Sequence, residues 1–119
     1  MSFAANIVVL LIAVLHVYIL VLEMFLWDKP AGLRAFNQTQ EAATASKVLA
    51  ANQGLYNGFL AAGLFWGLSL GANGNSVKIF FLYCVLVAGL YGAMTANKKI
   101  LFIQAIPAAI GLCLILLSK

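Results

Sequence analysis

The sequence predicts an all-α protein, an integral membrane four-helix up-and-down bundle that occupies residues 1–119 as a single transmembrane domain. Hydrophobic residues make up 65% of the chain and charged residues only 8%, whereas soluble domains carry about 25% charged residues. Four apolar segments, each close to the roughly 20 residues that cross a bilayer, use most of the chain. The connections between them are short, which is typical of antiparallel neighbours in a bundle.

The first apolar segment predicts a helix over about residues 3–27. The segment lacks the basic leader and the small-residue cleavage site of a signal peptide, so we expect it to remain in the mature protein. It stops at Asp28-Lys29-Pro30, where two charges and a proline mark the boundary with water.

A second helix is predicted over about residues 38–71. Its start, Asn37-Gln38-Thr39-Gln40, resembles a capping box in which Asn37 would accept from the third amide and Gln40 would reach back. A helix of this length measures about 50 Å, which exceeds the roughly 30 Å of a hydrocarbon core. We therefore expect its first turns, through Glu41 and Lys47, to project from the membrane.

The remaining two helices are predicted over about residues 76–97 and 100–117. Glycine and asparagine dominate the turn at residues 71–75, and they tolerate the positive φ angles that chain reversals need. Lys98-Lys99 forms a minimal loop before the last helix. Pro107 lies inside that helix, where a proline is tolerated if neighbours satisfy the freed carbonyl.

The basic residues predict the orientation of the bundle. The side that holds the first and third loops carries five of them, namely Lys29, Arg34, Lys47, Lys98 and Lys99. The opposite side carries Lys78 and Lys119. Because cytoplasmic loops are enriched in Lys and Arg, we expect a multi-pass protein of the cell membrane with both termini outside.

Several function classes are not supported by the sequence. The net charge of +4 comes from basic residues at the ends of apolar segments, which fits lipid headgroups and gives no nucleic-acid surface. Cys84 and Cys113 lie in apolar segments without nearby ligands and are interpreted as packing residues, so no metal site is predicted. The sequence has no phosphate-binding loop, dinucleotide fingerprint or Ser-His-Asp set, and it indicates no cofactor.

Glycines of the second helix recur at small-xxx-small spacings, which let helix backbones pack closely in a membrane. They are Gly54, Gly58, Gly63 and Gly67. Two interpretations stay open, which are packing inside the bundle and a homodimer through these glycines.

Polar residues inside the apolar segments are the strongest functional signal. Ionisable groups in a membrane are costly, so they are expected to face the interior and to find partners. Glu23 follows His16 by seven residues on the same stripe of the first helix, and the predicted topology places most of the set in the cytoplasmic half of the bundle. The candidate ligand- or proton-binding residues are His16, Glu23, Asn52, Gln53, Tyr56, Asn57, Tyr91 and Gln104.

The chain also resembles a known family. The resemblance lies in Leu15-His16-Val17-Tyr18, in residues 22–27 and above all in the Asn-Gln-Gly-x-Tyr-Asn-Gly string of residues 52–58. On these motifs, with Tyr91-Gly92 and residues 104–108, the chain is similar to the bacterial membrane family catalogued as domain of unknown function 1304. The resemblance implies a small multi-pass membrane protein whose motifs include the His, the Glu and the Asn-Gln string, and it implies no activity.

Three functions are compatible with these residues. In the first, a protonatable Glu23 couples proton exchange to the binding or transport of a small amphipathic molecule, in outline like small multidrug-resistance exporters. In the second, His16 and Glu23 act as an acid and base pair of an isomerase-like enzyme on a lipid-soluble substrate. In the third, the polar network only specifies packing in a non-catalytic membrane scaffold.

Overall fold

The computed structural model describes residues 2–118, and within them the regular secondary structure is all helical, with no strand. The predicted all-α class is therefore confirmed. The α-helices are α1 (Ser2–Met24), α2 (Pro30–Ala35), α3 (Gln40–Ala45), α4 (Lys47–Ser69), α5 (Asn75–Thr95) and α6 (Ile106–Leu117). A 3-10 turn over Gly71–Gly74 leads into α5, and a π-helical turn over Leu101–Ala105 leads into α6.

The chain divides into two compact units. The larger unit comprises the residues up to Val14 together with those from Leu60 onward. The smaller unit comprises Leu15–Phe59, and it holds the end of α1, the two short helices and the first half of α4.

The larger unit has a dry core of aliphatic side chains. Val9, Leu64, Leu82 and Val85 are completely buried, and Ile115 is nearly so. Alanines fill positions between them, and their small side chains let the helices approach closely.

The turn before α6 is wider than an α-helical turn because of Pro107. A proline has no backbone N–H and its ring clashes with the preceding turn in a helix interior, but it is tolerated in the first turn. Residues 99–117 are helical without interruption, so Pro107 lies inside the helix, as predicted. In the π-helical turn before it the Ile106 N–H bonds the Leu101 carbonyl five residues back, and this wider turn accommodates the proline ring.

The single helix predicted over residues 38–71 is two helices, with a break at Ser46. The Ser46 hydroxyl donates to the Ala42 carbonyl at 2.8 Å and accepts from the Trp27 indole N–H at 3.1 Å. A serine that bonds its own preceding turn bends a helix, and here the bond from Trp27 holds the hydroxyl at the bend. The break is thus decided by a residue outside the segment.

The predicted start of that helix at Asn37 is also wrong. Asn37 adopts a left-handed φ of 48°, which asparagine tolerates better than most residues, and it closes α2. The actual N-cap of α3 is Thr39, whose hydroxyl accepts from the Ala42 N–H at 3.1 Å. The sequence pattern does not reveal α2, which begins at Pro30 and occupies most of the predicted loop.

The first helix ends three residues earlier than the predicted Trp27, at Met24. Beyond Met24 the Leu26 N–H reaches back to the Val21 carbonyl, and the chain turns. Trp27 then packs against Phe36, with ring centroids 4.8 Å apart, so the aromatic contact holds the chain in the turn.

Two stretches of helix among the described residues are long and apolar enough to cross a membrane. They are Phe3–Met24 in α1 and Gly71–Thr95, which includes α5. The apolar stretch Leu101–Leu117 is shorter than a typical span. The helix α4 carries Asn52, Gln53 and Asn57 and is not one of the two candidate spans.

The glycines of α4 are used inside the chain. A Cβ added at Gly54, Gly58, Gly63 or Gly67 would lie within 3.0 Å of another part of the same molecule. Gly54 and Gly58 face the end of α1, and Gly63 and Gly67 face α5. These contacts favour the packing interpretation, while the homodimer stays a prediction.

Candidate functional site

The smaller unit contains a buried carboxylate that two amide side chains hold. Gln53 Nε2 donates to Glu23 Oε2 at 2.9 Å, and Asn57 Nδ2 donates to Glu23 Oε1 at 2.6 Å. Glu23 is only 2% exposed. Each carboxylate oxygen therefore has its own donor, and both donors come from α4.

Helix geometry explains why these three residues meet. Gln53 and Asn57 are four apart on α4, so their side chains lie one turn apart on one face. Gly54 lies between them, and a Cβ there would come 2.7 Å from Met24 Cγ and 3.0 Å from Glu23 Cβ. The absence of a side chain at Gly54 lets the end of α1 approach α4 closely enough for direct bonds.

Among the described residues, no basic side chain forms an ion pair with the Glu23 carboxylate. The one ion pair within residues 2–118 joins Lys47 Nζ to Asp28 Oδ2 at 3.1 Å. The hydrogen bonds to Glu23 come from neutral amides, which stabilise a carboxylate without cancelling its charge.

His16 is completely buried on α1, two turns before Glu23. The two side chains share one stripe of the helix, as the spacing of seven predicts. They are about 10 Å apart along the helix axis, which is too far for a direct hydrogen bond.

The other predicted site residues of α4 lie at the surface. Asn52 is exposed, and its amide donates to the Val48 carbonyl of its own helix at 2.9 Å. Tyr56 is 58% exposed, and its ring lies 6.0 Å from that of Phe59. Each precedes in sequence one of the two residues that donate to Glu23, Gln53 and Asn57.

Tyr91 and Gln104 belong to the larger unit and are described there. Tyr91 is 69% exposed on α5. Gln104 is partly buried in the π-helical turn before α6. Tyr91 lines an apolar surface groove of about 540 Å³ along one face of α5, together with Phe80, Tyr83 and Val87.

Lys78 is a buried lysine that the sequence pattern does not reveal. The charge pattern predicts it on the outer side of the bundle, but it lies in α5 with only 3% of its area exposed. Its Nζ donates to Asn6 Oδ1 at 2.8 Å, and its stem packs over Gly67. The signal that was available is its position inside an apolar segment, where a lysine must find a partner.

The segment between α1 and α4 is fastened at both ends. Lys47, the first residue of α4, pairs with Asp28, and the donated hydrogen bond holds the pKa of the Asp28 carboxyl below its usual range. Together with the Trp27 bond to Ser46, this pair ties the start of α4 to the end of α1. The position of the amides of Gln53 and Asn57 therefore depends on contacts at the start of α4, about two turns before Gln53 and three turns before Asn57.

Metal chemistry has no evident centre in the described part of the chain. Within residues 2–118 no group of three or more His, Cys, Asp or Glu side chains gathers in ligand geometry. Cys84 and Cys113 are free thiols. The chemistry open to the Glu23 carboxylate is to hold a proton or to bind a cation, while Gln53 and Asn57 orient its two oxygens.

Comparison with known proteins identifies the family. The profile of the family described as a protein of unknown function, domain of unknown function 1304, matches residues 10–116. The chain belongs to this family. The family assignment made from the sequence motifs is thereby confirmed, and it carries no activity with it.

A relative of this family member occurs in Lactococcus lactis subsp. lactis, strain IL1403, where it is named uncharacterized protein YpaA. It is 37% identical over 107 residues, which cover 87% of this chain and 89% of the relative. No solved structure matches the chain.

Proposed function

We propose that this member of the 1304 family is a four-span integral membrane protein that binds, and transports, a small amphipathic molecule in exchange for a proton at Glu23. The observation that carries the proposal is the buried Glu23 carboxylate, which two neutral amides hold inside an apolar helical protein. An ionisable residue in such an environment marks a ligand, ion or proton pathway by default.

The membrane part of the proposal is supported by length and by the character of the surface. Two helical stretches meet the requirements of a span. The 23 residues of α4 measure about 34 Å, which also suffices, and the 17 residues from Leu101 to Leu117 reach the lower end of the range. Large apolar side chains are widely exposed, among them Phe3, Val48 and Met94, which acyl chains would cover.

The proton part is supported by the donors around Glu23. Burial of a lone carboxylate is costly, and such a group is stabilised by taking up a proton or by binding a cation. Gln53 and Asn57 offer hydrogen bonds and no charge. A site of this kind exchanges a proton for another positive group when a ligand arrives.

A thermal-shift measurement tests the proposal. The protein is purified in a neutral maltoside detergent and heated with a panel of cationic, anionic and zwitterionic amphiphiles at pH 6 and pH 8. We expect at least one amphiphile to raise the melting temperature in a pH-dependent manner. The Glu23→Gln variant should lose that shift.

Glu41→Gln is the matched control, because Glu41 is an exposed acid on α3 outside the site. It should retain the shift and its pH dependence. Absence of any shift with the folded wild-type protein would contradict the proposal and favour the scaffold interpretation. Conversion of a lipid-soluble substrate that required both His16 and Glu23 would favour the enzyme interpretation.

A further inference from the structure

An exposed stripe on α4 leads to the buried carboxylate. The stripe consists of Gln53, Tyr56 and Phe59, which are spaced three residues apart and are neighbours on the helix surface. All three are exposed, Tyr56 by 58% and Phe59 by 57%. The rings of Tyr56 and Phe59 are tilted by 40° with centroids 6.0 Å apart, so they form a continuous aromatic surface.

Gln53 connects this surface with the interior. Its side chain is exposed, yet its Nε2 donates to Oε2 of a glutamate that is 2% exposed. The other oxygen of Glu23 is held by Asn57, which is less exposed than Gln53. Displacement of the Gln53 amide alone would therefore open Oε2 toward the stripe while Asn57 still orients the carboxylate.

We propose that the α4 stripe and Glu23 form a binding site for amphiphiles with a quaternary ammonium head and an apolar tail. The head displaces the Gln53 amide, contacts Glu23 Oε2 and lies against the Tyr56 ring, and the apolar tail continues along Phe59. This inference rests on the proposed function and names its ligand class. Charge selects the occupant, because the site offers a carboxylate and aromatic faces, and both attract cations.

The exchange balances as a simple displacement. The protonated Glu23 carboxyl releases its proton to solvent, the carboxylate pairs with the ammonium, and no bond of the ligand is made or broken. Binding therefore strengthens as the pH rises. The other titratable groups on the two helices that meet at Glu23 are His16 and Tyr18 on α1 and Tyr56 and Lys47 on α4, and Lys47 is paired with Asp28.

The test compares three amphiphiles with the same tail. Dodecyltrimethylammonium, dodecyl sulfate and dodecylphosphocholine are titrated separately into the protein in lipid nanodiscs, with binding followed by calorimetry and empty nanodiscs as the blank. We expect saturable binding of dodecyltrimethylammonium alone, tighter at pH 8 than at pH 6. Glu23→Gln should abolish it.

Variants of the stripe separate a specific site from partitioning of the tail. Tyr56→Ala should weaken binding about tenfold through loss of a ring that faces the cation, whereas Tyr56→Phe should retain it. Gln53→Ala should bind at least as tightly as the wild type, because the head no longer displaces an amide. Trp66→Ala, which removes a similarly exposed aromatic side chain from the same helix outside the stripe, is the control and should bind like the wild type.

Two results would overturn the inference. One is equal binding of all three amphiphiles, and the other is equal loss of binding in Tyr56→Ala and Trp66→Ala. If only the anionic or the zwitterionic amphiphile bound, in a Glu23-dependent and pH-dependent manner, the ligand class would be wrong and the proposed function would stand. If the folded protein bound none of the three and also gave no thermal shift with the wider panel, both proposals would fail.

Discussion

Asn57 Nδ2 donates to Glu23 Oε1 at 2.6 Å across 34 residues of sequence. The bond joins the last turn of α1 to α4, and it is the less exposed of the two amide contacts that Glu23 receives. A hydrogen bond to a buried charged group contributes more to stability than one at the surface. Asn57 thus both orients the carboxylate and holds the two helices together.

The two amides should differ in their contribution to stability. Asn57→Ala leaves Glu23 Oε1 without its donor in a buried position, and we expect a loss of about 1.5–3 kcal/mol in the free energy of unfolding. Gln53→Ala should cost less, because Gln53 is exposed and its bond is less shielded than that of Asn57. Chemical denaturation in detergent micelles, followed by circular dichroism, measures both. Equal losses would contradict the asymmetry.

A side chain at Gly54 should push α1 and α4 apart at the site. Gly54→Leu introduces atoms where a Cβ alone already meets Met24 and Glu23, and overpacking of this kind costs about 1–3 kcal/mol. The melting temperature should fall. Ala62→Leu adds a larger side chain at an exposed position of the same helix and should leave the melting temperature nearly unchanged.

The ion pair of Asp28 with Lys47 predicts a pH dependence. The pKa of Asp28 is lowered in the folded state by the hydrogen bond from Lys47, so the pair stabilises the fold above about pH 4, the unfolded value. The stabilisation is lost as the pH falls through the folded pKa. Asp28→Asn should therefore melt earlier than the wild type at pH 7 and equally at pH 2. The effect is small because the pair is near the surface, and a difference that persisted at pH 2 would exclude this cause.

The buried Lys78 should show strong coupling to Asn6. Asn6→Leu removes the acceptor of a lysine that is 3% exposed, and we expect a loss of about 1–3 kcal/mol. Lys78→Met in the same protein should recover most of it, because replacement of both partners by apolar groups leaves no unpaired polar atom. A double-mutant cycle on thermal unfolding gives the coupling energy. If the loss of stability in the double variant equalled the sum of the losses in the two single variants, the bond between Lys78 and Asn6 would contribute nothing to stability.

Burial of Lys78 also sharpens the predicted orientation. With Lys78 inside α5, it is not a loop charge, and the bias toward the side of Lys29, Arg34, Lys98 and Lys99 increases. We expect both termini outside the cell and the Lys98-Lys99 turn inside. A fluorescent reporter fused after residue 119 should stay dark while a periplasmic phosphatase reporter is active. Fluorescence at that position would reverse the topology.

Much of the local structure follows from the sequence alone. Apolar runs near the length of a helix predicted the helical class, and the spacing of Gln53 and Asn57 predicted that they share a face. The turn around Gly71 also followed, since that glycine adopts a φ of 61° that few other residues tolerate. These features are determined by interactions between residues that are close in sequence, so the composition and periodicity of a short segment suffice to predict them.

Only the tertiary structure decided which polar side chains meet. Periodicity grouped Asn52, Gln53 and Asn57, yet Asn52 bonds its own helix while the other two bond Glu23. The break at Ser46 depends on Trp27, 19 residues away, and the burial of Lys78 depends on Asn6, 72 residues away. The sequence determined the helices and the faces they carry, whereas the rotation of each helix toward its neighbours arose from close packing at glycines such as Gly54 and Gly67. That packing is a property of two distant segments together, so no local pattern in either one encodes it.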